Sequence, residues 1–218
     1  VYGKSETKRS ISNIVGAVYS QYKFTSLPEF NAALKQFNVV ADRGKEEGRI
    51  FKNRGLVYRI LDSAGNKVGV PIKASSIGCK PILDNLEKKF AVNETTKESL
   101  KPFVKIKLDD CLSQSPSTMK ELTEQLKQKN IYTVLRQNAE GRLYGITFVD
   151  NQNKVVFNGS DLGKGYSAAA LQSKLASGTE KSLSNDETKG GRSSGSIQKE
   201  MSQQKQHAKT MPLTTKTE

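Results

Sequence analysis

Ser26-Leu27-Pro28-Glu29-Phe30-Asn31-Ala32-Ala33-Leu34-Lys35-Gln36-Phe37-Asn38-Val39 returns further on as Thr118-Met119-Lys120-Glu121-Leu122-Thr123-Glu124-Gln125-Leu126-Lys127-Gln128-Lys129-Asn130-Ile131. Glu, Leu, Lys, Gln and Asn recur without a gap, and Leu27, Phe30, Leu34 and Val39 meet Met119, Leu122, Leu126 and Ile131. An internal repeat changes the reading of a whole chain, so it is settled before any fold is assigned. Each copy opens with a hydroxyl residue three positions before a glutamate (Ser26 and Glu29, Thr118 and Glu121). That is capping-box spacing, in which the hydroxyl and the carboxylate satisfy orphan N–H groups of the first turn. Each copy therefore predicts a helix running into a strand at Val39 or Ile131.

Outward from these two stretches the surroundings repeat as well. Ile11, Ile14, Val15, Val18, Tyr19 and Tyr22 form one apolar stripe of helical spacing before the first copy. Leu100, Phe103, Val104, Leu108, Cys111 and Leu112 do the same before the second. Strands are expected at Val39–Ala41, Leu56–Asp62 and Lys67–Lys73, then at Ile131–Arg136, Leu143–Asp150 and Lys154–Asn158. Val57-Tyr58-Arg59-Ile60 is aligned with Leu143-Tyr144-Gly145-Ile146, and Ser76-Ile77-Gly78 with Asp161-Leu162-Gly163. Helices through Ile82, Leu86 and Phe90, and through Ala168, Leu171 and Leu175, close the two units. The expected fold is α+β: a tandem duplication of a helix–helix–three-stranded antiparallel meander–helix unit. Residues 1–92 would be the first ααβββα repeat and 97–176 the second, with the polar run Ala91–Ser99 as connector. Residues 177–218 are Ser, Thr, Lys, Gln and Gly with few apolar side chains, a composition that predicts a disordered low-complexity tail.

Net charge narrows the class of partner. The chain carries +13, and the tail accounts for little of it, with seven Lys/Arg against five Asp/Glu, leaving +11 on residues 1–176. A basic folded body points first to nucleic acid and second to an anionic surface. The basic side chains gather at Arg43, Lys45, Arg49, Lys52, Arg54 and Arg59, where the first unit is longer than its counterpart. Arg136 and Arg142 flank the matching hairpin of the second unit. Arg43, Arg49, Lys52, Arg54, Arg59, Arg136, Arg142 and Lys164 are thus the candidate DNA-binding residues, since an arginine fork suits phosphate and guanine. The run from Asn158 to Ser167 packs three glycines and a lysine beside a helix start. Two readings stand there: a phosphate nest built from Gly159, Ser160, Gly163, Lys164 and Gly165, or a strand-to-helix corner that needs glycine for its turn. Tyr58 and Tyr144 are either base-stacking rings or core, and Lys105 and Lys107 read as a solvated helix face.

Catalytic chemistry finds little footing. The single histidine, His207, lies in the tail, so no histidine-based triad or metal site is expected in the folded part. Neither a P-loop nor a dinucleotide-binding glycine motif occurs. Asp109, Asp110, Asp150 and Asp161 are the carboxylates a nuclease would have to use. Two cysteines, Cys79 and Cys111, are too few for a disulfide framework and are expected to be reduced and buried, as suits the cytoplasm. No apolar run approaches a membrane span, so no membrane insertion is expected. The chain starts at Val1, which reads as part of a longer protein.

Several longer runs carry a resemblance. They are Tyr2-Gly3-Lys4-Ser5-Glu6-Thr7-Lys8-Arg9, Tyr22 to Glu29, Gly69-Val70-Pro71-Ile72-Lys73-Ala74-Ser75, Arg136-Gln137-Asn138, Tyr144 to Asp150 and Val156 to Gly163. In these the chain, from about residue 2 to about 176, resembles the later part of relaxase (mobilisation nuclease) proteins. Such enzymes are DNA-nicking transesterases that cut one strand at a transfer origin and attach to it through a tyrosine. The resemblance implies the region C-terminal to the nicking domain, acting in conjugative mobilisation. The family's tyrosine and metal-holding histidine cluster have no counterpart here, so no catalytic residue is carried over. The divalent metal would belong to that preceding domain, and no cofactor is expected in this chain. DNA, single-stranded or as the origin-of-transfer duplex, is the expected partner. The alternative is a module that docks the relaxase onto accessory mobilisation or coupling proteins.

Overall fold

A computed structural model describes residues 4–176. The expected tail disorder, and His207 with it, lie outside the described residues. The chain runs α1 (Lys4–Gln21), α2 (Leu27–Lys35), β1 (Val39–Asp42), α3 (Arg49–Lys52), β2 (Val57–Leu61) and β3 (Lys67–Lys73). It continues through α4 (Leu83–Ser113), α5 (Met119–Gln128), β4 (Ile131–Gln137), β5 (Leu143–Asp150), β6 (Val155–Asn158), α6 (Gly159–Leu162) and α7 (168–176). This is an α+β architecture with two three-stranded antiparallel sheets, ordered β1-β2-β3 and β4-β5-β6.

The two quoted stretches fold alike. The Glu29 N–H donates to Ser26 Oγ (3.4 Å), and the Glu121 N–H donates to Thr118 Oγ1 (3.1 Å). The carboxylates reach one residue further back than a capping box requires. Glu29 Oε2 accepts from the Thr25 N–H at 2.7 Å and Glu121 Oε2 from the Ser117 N–H at 2.8 Å. Asn38 and Asn130 then both turn with φ near +60° (54° and 61°). Asparagine tolerates that left-handed geometry, which ends the helix and launches the strand.

Three sequence expectations need correction. Ala91–Ser99 is no connector: α4 runs unbroken through it as a 31-residue helix. The segment looked like a linker because its buried face is polar. Asn93 and Lys97, one turn apart, are buried and serve polar partners, with Asn93 Nδ2 donating to the Phe24 carbonyl (2.9 Å). Second, the strand alignment slips by four residues. Val39 pairs with Ile60 and Ile131 with Asp150, so Tyr58 holds the ladder position of Phe148, not of Tyr144. An even slip preserves which residues face inward, and so hydrophobic alternation alone does not penalise it. Third, Cys79 is exposed; only Cys111 is buried.

Residues up to 176 form one compact unit. The β4–β6 sheet has apolar side chains on both faces. Val134, Val149 and Val156 join the cluster of Ile11, Val15, Phe24, Phe30, Leu34 and Tyr58. Ile146, Phe148 and Phe157 join Val104, Leu108, Leu122, Leu126, Leu171 and Leu175. Backbone bonds add a stitch: Lys23 N donates to the Lys154 carbonyl (2.8 Å) and Val156 N to the Lys23 carbonyl (3.0 Å).

Candidate nucleic-acid interface

The eight basic candidates divide by what already holds them. Arg54, at positive φ (52°), is bound to Asp84 (3.0 Å) and Glu87 (2.6 Å) at the start of α4. Arg59 lies 3.6 Å from Asp42, which also takes Lys67 at 2.8 Å. Burial pulls the Asp42 carboxyl upward, but bonds from Lys67 and the Gly44 N–H and the nearby Arg59 charge hold it below the usual range. Both arginines are locally neutralised and offer little to a phosphate. The Arg43 guanidinium carbon stands over the Phe51 ring, 4.0 Å from its centroid. By contrast Arg49, Lys52, Arg142 and Lys164 are exposed, with no carboxylate within ion-pair distance among the described residues. Of the eight candidates, those four are the exposed ones without a carboxylate partner.

The loop between β1 and β2 carries α3 and walls a cleft of about 650 Å³. Its lining combines apolar Ile50, Leu56 and Ile82 with charged Arg49, Arg54, Lys73 and Asp84. A second cleft of about 310 Å³ opens where the starts of α2 and α7 meet the β4–β5 hairpin. Ser26, Arg136, Tyr144, Gly145, Asn158 and Ser167 line it. Arg136 is half-buried and its Nη2 donates to Thr147 Oγ1 and Asn158 Oδ1, both at 3.0 Å. No carboxylate pairs with it among the described residues.

At Asn158–Ser167 the corner reading accounts for Gly159 and Gly163. Asn158 and Asp161 cap α6 reciprocally, and the N–H groups of Gly163, Tyr166 and Ser167 bond to Ser160, Gly163 and Lys164 carbonyls. Of the five nest candidates, Gly163 thus has its backbone N–H in use. A Cβ on Gly159 would fall 2.2 Å from the Tyr166 carbonyl oxygen, so glycine is there for packing. Gly163 has φ 132°. Of the nest candidates, Lys164 keeps an available charge and Ser160 faces the Arg136 cleft; Gly165 belongs to the 3-10 turn Lys164–Tyr166.

The tyrosines separate cleanly. Tyr58 is fully buried, and its hydroxyl donates to the Pro81 carbonyl at 2.7 Å. Tyr144 is 65% exposed. Arg136 pairs with Gly145 and Gln137 with Leu143, so Tyr144 is left without a partner in β4. A bulge of this kind re-aims a side chain, and here it turns the ring out of the core. The hairpin residues that mark it, Leu143 and Ile146 buried with two residues between, were legible as a broken alternation.

The lysine pair on α4 departs from the expected solvated face: Lys107 is an ion-pair partner of the buried Asp150 at 3.0 Å. Lys105 stands over the Tyr166 ring, 5.6 Å from its centroid. The carboxylates each have local duties. Asp109 accepts from the Tyr166 hydroxyl (2.7 Å), Asp110 pairs with Lys129, and Asp161 caps α6. Burial first, then that Asp109 bond, push the Tyr166 phenol up to about 12. Among the described residues no three His, Cys, Asp or Glu side chains are grouped as metal ligands. Nor is any helix long and apolar enough to cross a membrane.

No protein-family model, no curated protein and no solved structure matches this chain.

Proposed function

We propose that this chain is a non-catalytic, DNA-binding C-terminal region of a relaxase, working in the cytoplasm during conjugative mobilisation and built by tandem duplication of one ααβββα unit. One observation carries the DNA reading. A body of net charge +11 leaves Arg49, Lys52, Arg142 and Lys164 exposed and unneutralised, while its paired cations sit against carboxylates. Cations without protein partners are the ones that release counterions from a phosphate backbone. The relaxase assignment is supported by the resembling runs at Tyr22–Glu29, Tyr144–Asp150 and Val156–Gly163. The duplication is supported by twin caps at Glu29 and Glu121 and by Asn38 and Asn130 turning alike.

Fluorescence anisotropy with single-stranded and duplex DNA tests the reading. Micromolar or tighter binding is expected at low salt, falling steeply as salt rises. The variant Arg49→Ser/Lys52→Ser/Arg142→Ser/Lys164→Ser should flatten that slope, each lost phosphate contact removing about 0.7–0.9 from it. Absence of binding at low salt overturns the proposal.

A second reading has its own observation. Phe103 and Ile106 are 55% and 65% exposed, three residues apart on α4, which places two large apolar side chains on one face of the helix. They suit a protein-interaction module docking to accessory or coupling proteins.

A further inference from the structure

The cleft at Arg136 has features that a generic basic surface does not need. Its cation is half-buried, holds no carboxylate, and makes both its hydrogen bonds from Nη2 to neutral oxygens. Arg136 Nε is buried without any partner. Leaving a buried donor unmet costs free energy, and native structures rarely do so without reason. The sheet makes room for this arginine: a Cβ at position 145 would lie 2.9 Å from Arg136 Nε, so glycine there lets the guanidinium lie across the strand. One position earlier the bulge presents the Tyr144 ring, 65% exposed and lining the same cleft. Ser26 lines the same cleft, and its Oγ accepts the Glu29 N–H and keeps its own proton to donate. The neighbouring carboxylates are occupied. Glu29 is bound by Lys97, and Asp161 accepts from Asn158 and Ser160.

An anion donor set and an exposed ring, side by side in about 310 Å³, match one phosphate and one base. We propose that this cleft binds a single unstacked nucleotide, its phosphate on Arg136 and Ser26 and its base against Tyr144. The proposal rests on the DNA-binding reading for its biological source, a single strand, but its chemistry is that of a nucleotide. A paired, stacked base cannot reach a ring set beside a phosphate site in a cleft, so the cleft selects single strand over duplex. Sequence tolerance follows, because every base offers a π-face.

The test uses the full chain with a labelled thymine oligonucleotide, a labelled duplex, and thymidine monophosphate. Tyr144 packs little, so Tyr144→Ala should fold as the parent does, and matched thermal melts check this. It is expected to weaken oligonucleotide binding about tenfold and to leave duplex binding unchanged, with Tyr144→Phe retaining full affinity. Arg136→Gln should weaken the oligonucleotide as well and reduce its salt slope by about one. If Tyr144→Ala binds the oligonucleotide as tightly as the parent, the cleft proposal falls, while salt-dependent binding keeps the DNA-binding reading alive. If the parent binds no DNA, that reading falls and thymidine monophosphate decides the cleft. Amide shifts confined to 144–146 and Ser167 then uphold a mononucleotide site, and their absence overturns it.

Discussion

Glu29 is the residue on which most of the molecule converges. It is 1% exposed, yet its carboxylate accepts from the Thr25 N–H and hydroxyl, from Asn158 Nδ2 and from Lys97 Nζ at 2.7 Å. One side chain thus ties the start of α2 to α4 and to the end of β6. Burial pushes its carboxyl above the ordinary range, and the Lys97 charge and bonds pull back. Lys97→Met removes the counter-charge from a buried carboxylate, which should cost about 3–5 kcal/mol at neutral pH. The pH dependence has a definite sign. A carboxyl whose folded-state pKa is raised binds its proton in the native state first, so native stability gains below that value and declines as pH rises through it. Lys97→Met should therefore recover relative to the parent in urea melts as pH falls from neutral towards the ordinary carboxylate range. A deficit that is constant over that fall in pH would show that Glu29 does not carry the cost.

At the scale of elements, what the sequence disclosed depended on which face was read. Helix caps at Ser26 and Thr118 and the strands near Leu143 and Lys67 were legible because their signals are local. The middle of α4 was not. Periodicity detects apolar faces, and the buried positions there are Asn93 and Lys97, whose partners Phe24 and Glu29 stand about seventy residues upstream. The same limit explains the candidate site. Arginines could be found by type, but whether Asp84 or Asp42 would neutralise them is a property of tertiary neighbours. A continuous α4 makes a measurable claim. Ala91 is exposed, so Ala91→Gly alters little except backbone entropy. It should cost about 1 kcal/mol inside a helix and close to nothing in a connector. Chemical denaturation, with the slope checked for constancy, discriminates the two.

Across the whole molecule, two stretches of matching sequence have been given different work. α2 is buried on more than one side, at Phe30, Ala32, Ala33 and Leu34, because it lies between β1 and the β4–β6 sheet. In α5 the positions matching Ala32 and Ala33 are Glu124 and Gln125, and only Leu122 and Leu126 are buried. Small side chains on α2 admit a second sheet, whereas polar ones on α5 suit an outer face, as at the end of a repeat array. The consequence is mutual dependence. The cluster around Ile11 and Tyr58 draws Val134, Val149 and Val156 from the far end of the chain, and Lys23 spends its backbone bonds on Lys154 and Val156. A fragment of residues 1–92 keeps every element of the first unit but only the first ten residues of α4, and loses those partners. Exposing that apolar surface removes stabilisation of order 25 cal/mol per Å², against a net margin of a few kcal/mol for a small domain. The fragment should show poor amide dispersion and no cooperative melt, while residues 1–176 should melt as the full chain does. A fragment 1–92 with a sharp transition near that of the parent would mean that the two units are autonomous, and that the shared cluster adds little to either.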